Sequence, residues 1–137
     1  MTATYLLDSW AIMAYLKKES PADLRVVELL EQAQQGKTRL VIPVINLGEV
    51  FYIIGRVRGE AFAEKILAQL RSFPIEVLSL DDEIVFSAAR WKMKHPISYA
   101  DAFAAATAKQ YNAILVTGDP ELIALQGKLD IDVLQRG

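Results

Sequence analysis

Four acids in this sequence stand where carboxylates can act together. Asp8 directly follows the apolar run Tyr5-Leu6-Leu7, Glu49 lies in a helical stretch, Asp101 falls three residues after Ser98, and Asp119 sits in Thr117-Gly118-Asp119-Pro120. Each has a local explanation. Asp8 serves equally well as the cap of a helix starting at Ser9 or Trp10, and Asp119 as the cap of one starting at Pro120. Ser98 and Asp101 have capping-box spacing. Glu49 shares a helical face with Ile45, Tyr52, Ile53 and Arg56, so it either points toward packed material or joins Arg56 in a solvated stripe. The set carries more weight than its members. Asp8 and Asp119 each lie just past a strand end, and Glu49 and Asp101 each lie in the helix beside such an end. The alternative to separate local roles is one acidic cavity. Asp101 also shares its face with Ala104, Ala105 and Ala108, small residues that let its helix approach another backbone closely.

Carboxylates gathered in this way repel one another, and without a cation some must take up protons. A divalent ion relieves the cost. All-oxygen ligation selects a hard cation, Mg²⁺ or Mn²⁺, over zinc or copper. The rest of the composition leaves little else: there is no cysteine, and the single histidine, His95, cannot build a site that needs two imidazoles. A bound ion that keeps several waters can supply a nucleophile and neutralise a phosphate, so phosphodiester hydrolysis is the chemistry expected, with one ion or two.

The elements that must hold these acids follow from apolar periodicity. Tyr5–Leu7 reads as a strand and Ser9–Lys17 as a helix with Ile12, Met13 and Leu16 at helical spacing. Ser20-Pro21-Ala22-Asp23 has the form of a helix start, Ser20 capping and Pro21 first in the helix, with Leu24, Val27, Leu30 and Ala33 as its apolar face up to Gly36. Leu40–Ile42 is a second strand. Pro43 opens a helix running to Gly59, and Glu60–Ser72 repeats the period through Phe62, Ile66, Leu67 and Leu70. Ile75–Leu78 is a third strand, Asp81–Lys94 a helix with Ile84, Val85, Ala88 and Trp91 inward, and Ser98 caps a helix through Asp101 to Tyr111. Ala113–Val116 is a fourth strand and Ile131–Val133 a weak fifth. This alternation predicts one α/β domain over residues 1–137, its parallel sheet covered by helices on both faces.

Length and charge bound the rest. A chain of 137 residues can bury about two-thirds of its unfolded surface. Its apolar share of 53% is high, yet no run approaches the roughly 18 residues of a membrane span. The excess reads as buried strands plus a subunit interface, and Met1–Tyr5 carries no basic signal-peptide region, so the expectation is a cytoplasmic protein with no membrane partner. A net charge of −2 argues against bulk coating of nucleic acid but leaves room for a local basic rim.

Taken in order, Leu6-Leu7-Asp8-Ser9, Asn46-Leu47-Gly48-Glu49-Val50, Ser98-Tyr99-Ala100-Asp101-Ala102 and Leu115-Val116-Thr117-Gly118-Asp119-Pro120-Glu121 cover essentially the whole chain. The ordered set resembles the PIN-domain ribonucleases, most closely the VapC-type toxins of prokaryotic toxin–antitoxin pairs. The resemblance implies a three-layer α/β/α fold around a parallel sheet of about four to five strands. It also implies a Mg²⁺-dependent endoribonuclease, Mn²⁺ being the other ion, usually dimeric and paired with an antitoxin protein. Carried over residue by residue, Asp8 and Asp101 become the central metal ligands, and Glu49 and Asp119 complete the site. Ser9 and Thr117 match hydroxyl residues that support the acids. Trp10 departs from the pattern, since many relatives have a small polar residue there.

Other readings stand beside this one. A catalytically silent module of the same fold would act only through RNA or protein partners. A receiver-type phosphoacceptor would use Asp81-Asp82 after the third strand, but it needs paired acids after the first, where Asp8 stands alone. Arg56 and Arg58, and Lys92, Lys94 and His95, either contact RNA phosphates or simply favour helix C-termini. Trp10 and Trp91 read as core. Met13, Leu16, Phe51, Ile54 and Phe62 are the apolar residues left over for a homodimer interface, which would bring a second Arg56 and Arg58 to the rim.

Overall fold

Leu6 and Leu7 are adjacent in one strand, and both are fully buried. Successive strand residues point to opposite faces, so two neighbouring buried leucines require cover on both sides. Leu6 packs in a core with Val41 and Leu115, while Leu7 packs in another with Leu40, Ile42 and Val116. The computed structural model describes residues 2–137 and shows three layers, a sheet with helices on each face.

In chain order the elements are β1 (Ala3–Leu7), α1 (Ser9–Leu16), α2 (Ala22–Gln34), β2 (Thr38–Pro43), α3 (Val44–Arg58), α4 (Glu60–Arg71) and β3 (Glu76–Leu78). They are followed by α5 (Asp82–Lys94), α6 (Tyr99–Gln110), β4 (Ile114–Thr117), α7 (Pro120–Ile123) and β5 (Ile131–Val133). The five strands are all parallel, in the order β3-β2-β1-β4-β5. Leu6 pairs with Val41 on one side and Leu115 on the other, and Leu7 pairs with Val116. The chain thus builds outward from β1 through β2 to β3, then returns to lay β4 on the far side of β1. Strand order reverses between β1 and β4. In an open parallel sheet, the crevice at the carboxyl ends of such a pair is where ligands bind.

Helices α1 to α4 cover one face and α5, α6 and α7 the other. The alanine-rich α6 is buried along nearly its whole length, from Asp101 to Ala108, as a helix of small side chains permits. Gly59, at φ +91°, links α3 to α4 as the single residue between them, a conformation that L side chains rarely adopt.

Two details differ from the reading of periodicity. Ser20 does not cap α2: Pro21 occupies the cap position after a cis peptide, and the Ser20 hydroxyl donates to the Asp23 carboxylate at 2.8 Å. The fully buried residues of α2 are Ala22, Val26 and Leu29; of the expected face Leu30 and Ala33 are half-buried against the same core, and Leu24 is 62% exposed. Both sets of residues have helical spacing, so periodicity alone does not choose between them. In the fold the Arg25 guanidinium lies 5.7 Å from the Tyr5 ring centroid and pairs with Asp132 of β5 at 2.8 Å, contacts that tie the helix to the sheet. Pro43, expected to open the third helix, is the last residue of β2 and sits at the cap position of α3. Its ψ of 140° is still extended.

Candidate active site

Asp8 leaves the end of β1 in extended backbone and caps α1, its Oδ1 accepting the Ala11 N–H at 2.8 Å. Its other oxygen accepts the Thr117 hydroxyl at 2.5 Å, a contact made only because β4 lies next to β1. Thr117 Oγ1 in turn accepts the N–H of Asp119 at 3.0 Å. One hydroxyl therefore ties the acid after β1 to the acid after β4. Asp119 caps the short α7 through the Glu121 N–H at 2.9 Å.

Asp101 comes from the other side of the crevice, in the first turn of α6. Ser98 caps that helix, its hydroxyl accepting the Asp101 N–H at 3.1 Å. Glu49 projects from α3, half-buried, and accepts a hydrogen bond from Ser9. Its helix buries Asn46, Leu47, Val50 and Ile54, whereas Tyr52 and Arg56 are exposed. Glu49 lies at the margin of the packed side, between the two readings of its face: Ile45 and Ile53 are half-buried, Tyr52 and Arg56 exposed. Tyr52 and Arg56 point outward because a helix covers the core with one stripe only.

Asp8 is 1% exposed and Asp101 8%. Burial pushes the Asp8 carboxyl from its ordinary 3.8 up to about 7. The Thr117 and Ala11 hydrogen bonds oppose the rise, and the charges of Asp101 and Asp119 add to it. Burial also lifts Asp101 to about 7, helped by the charge of Asp119, by a hydrogen bond to that carboxylate, and by the charge of Glu49, against the effect of Ser98. The charges of Asp101 and Asp119 therefore bear on Asp8, and those of Asp119 and Glu49 on Asp101. Ser9 donates to Glu49 and Thr117 to Asp8.

Arg56 and Arg58 stand apart. Arg56 is two helical turns beyond Glu49 and lies 5.8 Å from the Tyr52 ring centroid, and Arg58 lies 4.2 Å from that of Phe62. Asp81, the acid of the phosphoacceptor reading, caps α5 through the Ile84 N–H at 2.9 Å and is exposed after the edge strand β3.

Two features had no sequence-level role. Asn46 is fully buried, its Nδ2 donating to the Ala100 carbonyl at 3.4 Å and its Oδ1 left without a partner, so it joins the helix of Glu49 to the residue before Asp101. Its signal was a polar residue one turn before Glu49. The second is the setting of Trp10, whose ring covers Gly118: a Cβ at residue 118 would lie 2.3 Å from the indole. The Arg136 guanidinium lies 5.4 Å from the same ring centroid and donates to the Gly118 carbonyl at 3.4 Å. The large residue at position 10 is accommodated by the absence of a side chain at 118.

The four acids and the Ser9 and Thr117 hydroxyls offer only oxygen donors, a set whose chemistry fits a hard divalent ion. Among the described residues, no three acidic or histidine side chains are grouped as they would be around a bound ion. Mg²⁺ commonly takes only one or two carboxylates and completes its shell with water, so a pair of acids satisfies it.

The sequence matches the family model of the PIN domain over residues 5–128. No match is found among curated proteins. Several solved structures share the fold. VapBC2 from Rickettsia felis, bound to a DNA fragment from its promoter, aligns with a TM-score of 0.74 at 17% identity, over 96% of this chain and 99% of that one. VapBC-1 from nontypeable Haemophilus influenzae aligns at 0.70 and 21% identity, over 96% and 98%. VapC20 from Mycobacterium tuberculosis, described as a sarcin-ricin loop cleaving toxin, aligns at 0.69 and 16% identity, over 98% and 100%. At these identities the likeness is one of fold. No described helix is long and apolar enough to cross a membrane.

Proposed function

The chain belongs to the PIN-domain family, and from that premise we propose that it is a Mg²⁺-dependent endoribonuclease, active also with Mn²⁺, and the toxin of a toxin–antitoxin pair. The observation that carries this reading is the pair of buried carboxylates, Asp8 and Asp101, both raised to about 7 at the β1/β4 switch point. A protein keeps two such groups together at a cost unless a cation is to be held there. We assign the metal to Asp8 and Asp101, with Glu49 and Asp119 completing the acidic set.

A bound divalent ion would supply a water of lowered pKa and neutralise charge on the scissile phosphate. The rest falls to the chain. Thr117 and the Ala11 N–H hold Asp8 in one orientation, and Ser98 sets the first turn from which Asp101 projects. Ser9 holds Glu49 toward the same edge. Asp119 favours the protonated form of Asp101, and that proton must leave before Asp101 can act as a ligand. The test is incubation of the protein with end-labelled single-stranded RNA in Mg²⁺ or Mn²⁺, with and without EDTA. Products bearing a 5′-phosphate and abolished by EDTA are expected. Activity undiminished in EDTA overturns the metal reading, and RNA binding without cleavage in either ion favours a silent binding module.

The antitoxin partner rests on the VapBC structures that share the fold. Growth arrest on expression, relieved by the protein encoded in the adjacent reading frame, is the expected result. A homodimer is the further assignment. Met13, Leu16, Ile54 and Phe62 line a surface cavity of about 400 Å³ together with Ile53, Val57 and Arg58, and Phe51 is half-buried beside it. An interface anchored there would add a second Arg56 and Arg58 to the rim. Light scattering tests it: a monomer with full activity removes the dimer as a requirement.

A further inference from the structure

A second cavity, of about 350 Å³, gathers the charge opposite to that of the acidic crevice. Ser87, Arg90, Trp91, Lys94, His95 and Lys128 line it, with no acid among them. Ser87, Arg90, Trp91 and Lys94 recur at helical spacing and form one stripe along α5. Lys128 reaches the stripe from the segment between α7 and β5. Arg90, Lys94 and Lys128 are exposed, and none forms an ion pair among the described residues, where only Arg25 and Arg39 do. Lys128 also lines the neighbouring cavity with Lys109 and the exposed Asp130, and it forms no ion pair with that acid.

The aromatic member of the stripe is fixed. Trp91 is half-buried, packs against the α5–α6 core, and has the His95 ring 5.3 Å away between centroids, tilted by 33°. Held in this way, its indole offers a stacking surface at little entropic cost. Lys92, beside it, is used locally, since its ammonium donates to the Ile97 carbonyl at 2.9 Å. Lys94 and Arg90 have no such hydrogen bond. Surplus cations in a line beside an anchored indole are the combination by which sequence-tolerant sites hold single-stranded nucleic acid.

We propose that this groove binds the single-stranded RNA flanking the scissile bond, with phosphates on Arg90, Lys94 and Lys128 and a base against Trp91. The inference rests on the nuclease reading for the nature of the strand. Its direction comes from connectivity. Four residues, His95–Ser98, join α5 to α6, so His95 is the member of the groove closest along the chain to the first turn of α6, where Asp101 lies, while Lys128, beside Lys109 and Asn112 at the other end of α6, marks the groove's far end. A strand along α5 is thereby led toward the acids. The groove also answers an electrostatic need, because an acidic crevice on a chain of net charge −2 repels a polyanion unless cations hold it nearby. An acidic peptide would satisfy the cations but leave the indole unused.

The test uses the full chain in EDTA, so that binding is read without cleavage, and a fluorescein-labelled single-stranded RNA of about twelve nucleotides, followed by anisotropy across a KCl series. Each phosphate contact on a single strand adds about 0.7 to the slope of log K against log salt, so R90Q/K94Q is expected to lower the slope by about 1.4 and weaken binding tenfold or more. Both side chains are exposed, and an unchanged thermal melt shows that the double variant is folded. Trp91→Leu is expected to weaken binding by about tenfold with the slope unchanged, the mark of lost stacking. Wild-type protein that fails to bind the RNA, or a double variant with unaltered affinity and slope, overturns the proposal. So does an oligoglutamate that displaces the RNA as well as unlabelled RNA of equal charge, which would assign the groove to an acidic peptide. Variant-sensitive binding by a protein that cleaves nothing in Mg²⁺ or Mn²⁺ leaves the groove standing and removes the nuclease reading instead.

Discussion

Asp8 and Asp81 perform the same local task in different surroundings. Each follows a strand in extended backbone, and each accepts the N–H three residues on, Ala11 at 2.8 Å for Asp8 and Ile84 at 2.9 Å for Asp81. Asp8 ends the central strand, with β4 beside it, so Thr117 can reach it and Asp101 and Asp119 bear on its charge. Asp81 follows the edge strand and is exposed. A cap becomes a candidate catalytic acid through the strand that lies next to it, not through anything in its own segment.

The comparison breaks most readily on activity. Asp8→Asn and Asp101→Asn are each expected to lower RNA cleavage by about a hundredfold or more, the scale seen when one preorganised electrostatic group is removed. Both should leave a folded protein, because asparagine caps α1 as well as aspartate does, and the cap of α6 is the Ser98 hydroxyl, which the change at Asp101 leaves in place. Cleavage assays read beside thermal melts decide the matter: an Asp101→Asn protein that melts early yet keeps its activity per folded molecule returns Asp101 to a purely structural role in the first turn of α6.

Thr117→Val sharpens the same contrast. It removes the hydroxyl that donates to Asp8 and accepts from Asp119 while keeping the side chain's shape. Loss of such a supporting group costs about 10–100-fold in metal affinity. Mn²⁺ titration of wild type and variant measures it, and equal affinities would show that the hydroxyl serves only the strand end.

Proton linkage predicts a smaller effect with a definite sign. Asp8 and Asp101 titrate near 7 in the folded protein against an ordinary 3.8. Between those values the unfolded chain has released protons that the folded chain still holds. Their contribution to stability is therefore complete below about pH 4 and lost as pH rises through 7. Metal-free protein should melt several degrees higher at pH 5 than at pH 8, and Asp8→Asn or Asp101→Asn should flatten that dependence while Asp81→Asn does not. A wild-type melting profile flat between pH 5 and 8 would contradict the shifts.

The smallest change is expected at Asp81. Asp81→Ala forfeits a helix cap worth about 1 kcal/mol. It should lower the melting temperature by a few degrees without altering cleavage, and a loss of cleavage would place Asp81 in the site.

Much of this was legible in the residues. Alternating apolar runs placed all five strands and the long helices to within a residue or two at most ends, because burial on both faces of a parallel sheet demands continuous apolar strands such as Leu40–Ile42. Ser98 was legible as a cap, since capping is a contact over three residues. The face of α2 was legible only in part, because two apolar stripes fit its period and its partners across the sheet, Tyr5 and Asp132 against Arg25, are remote in sequence. The same holds for Trp10, whose fit depends on Gly118.

What the sequence by itself determined was the kind of chemistry available: oxygen ligands, no thiol, one imidazole, and acids placed at strand and helix ends. Those are properties of residue type and near-neighbour spacing. Which acids come together was decided only by the sheet order, which brings β4 against β1 and leaves β3 at the edge. Capping hydrogen bonds are local and look alike at Asp8, Asp81 and Asp119. Burial and charge repulsion depend on neighbours far along the chain, so the difference between Asp8 and Asp81 exists only in the folded molecule.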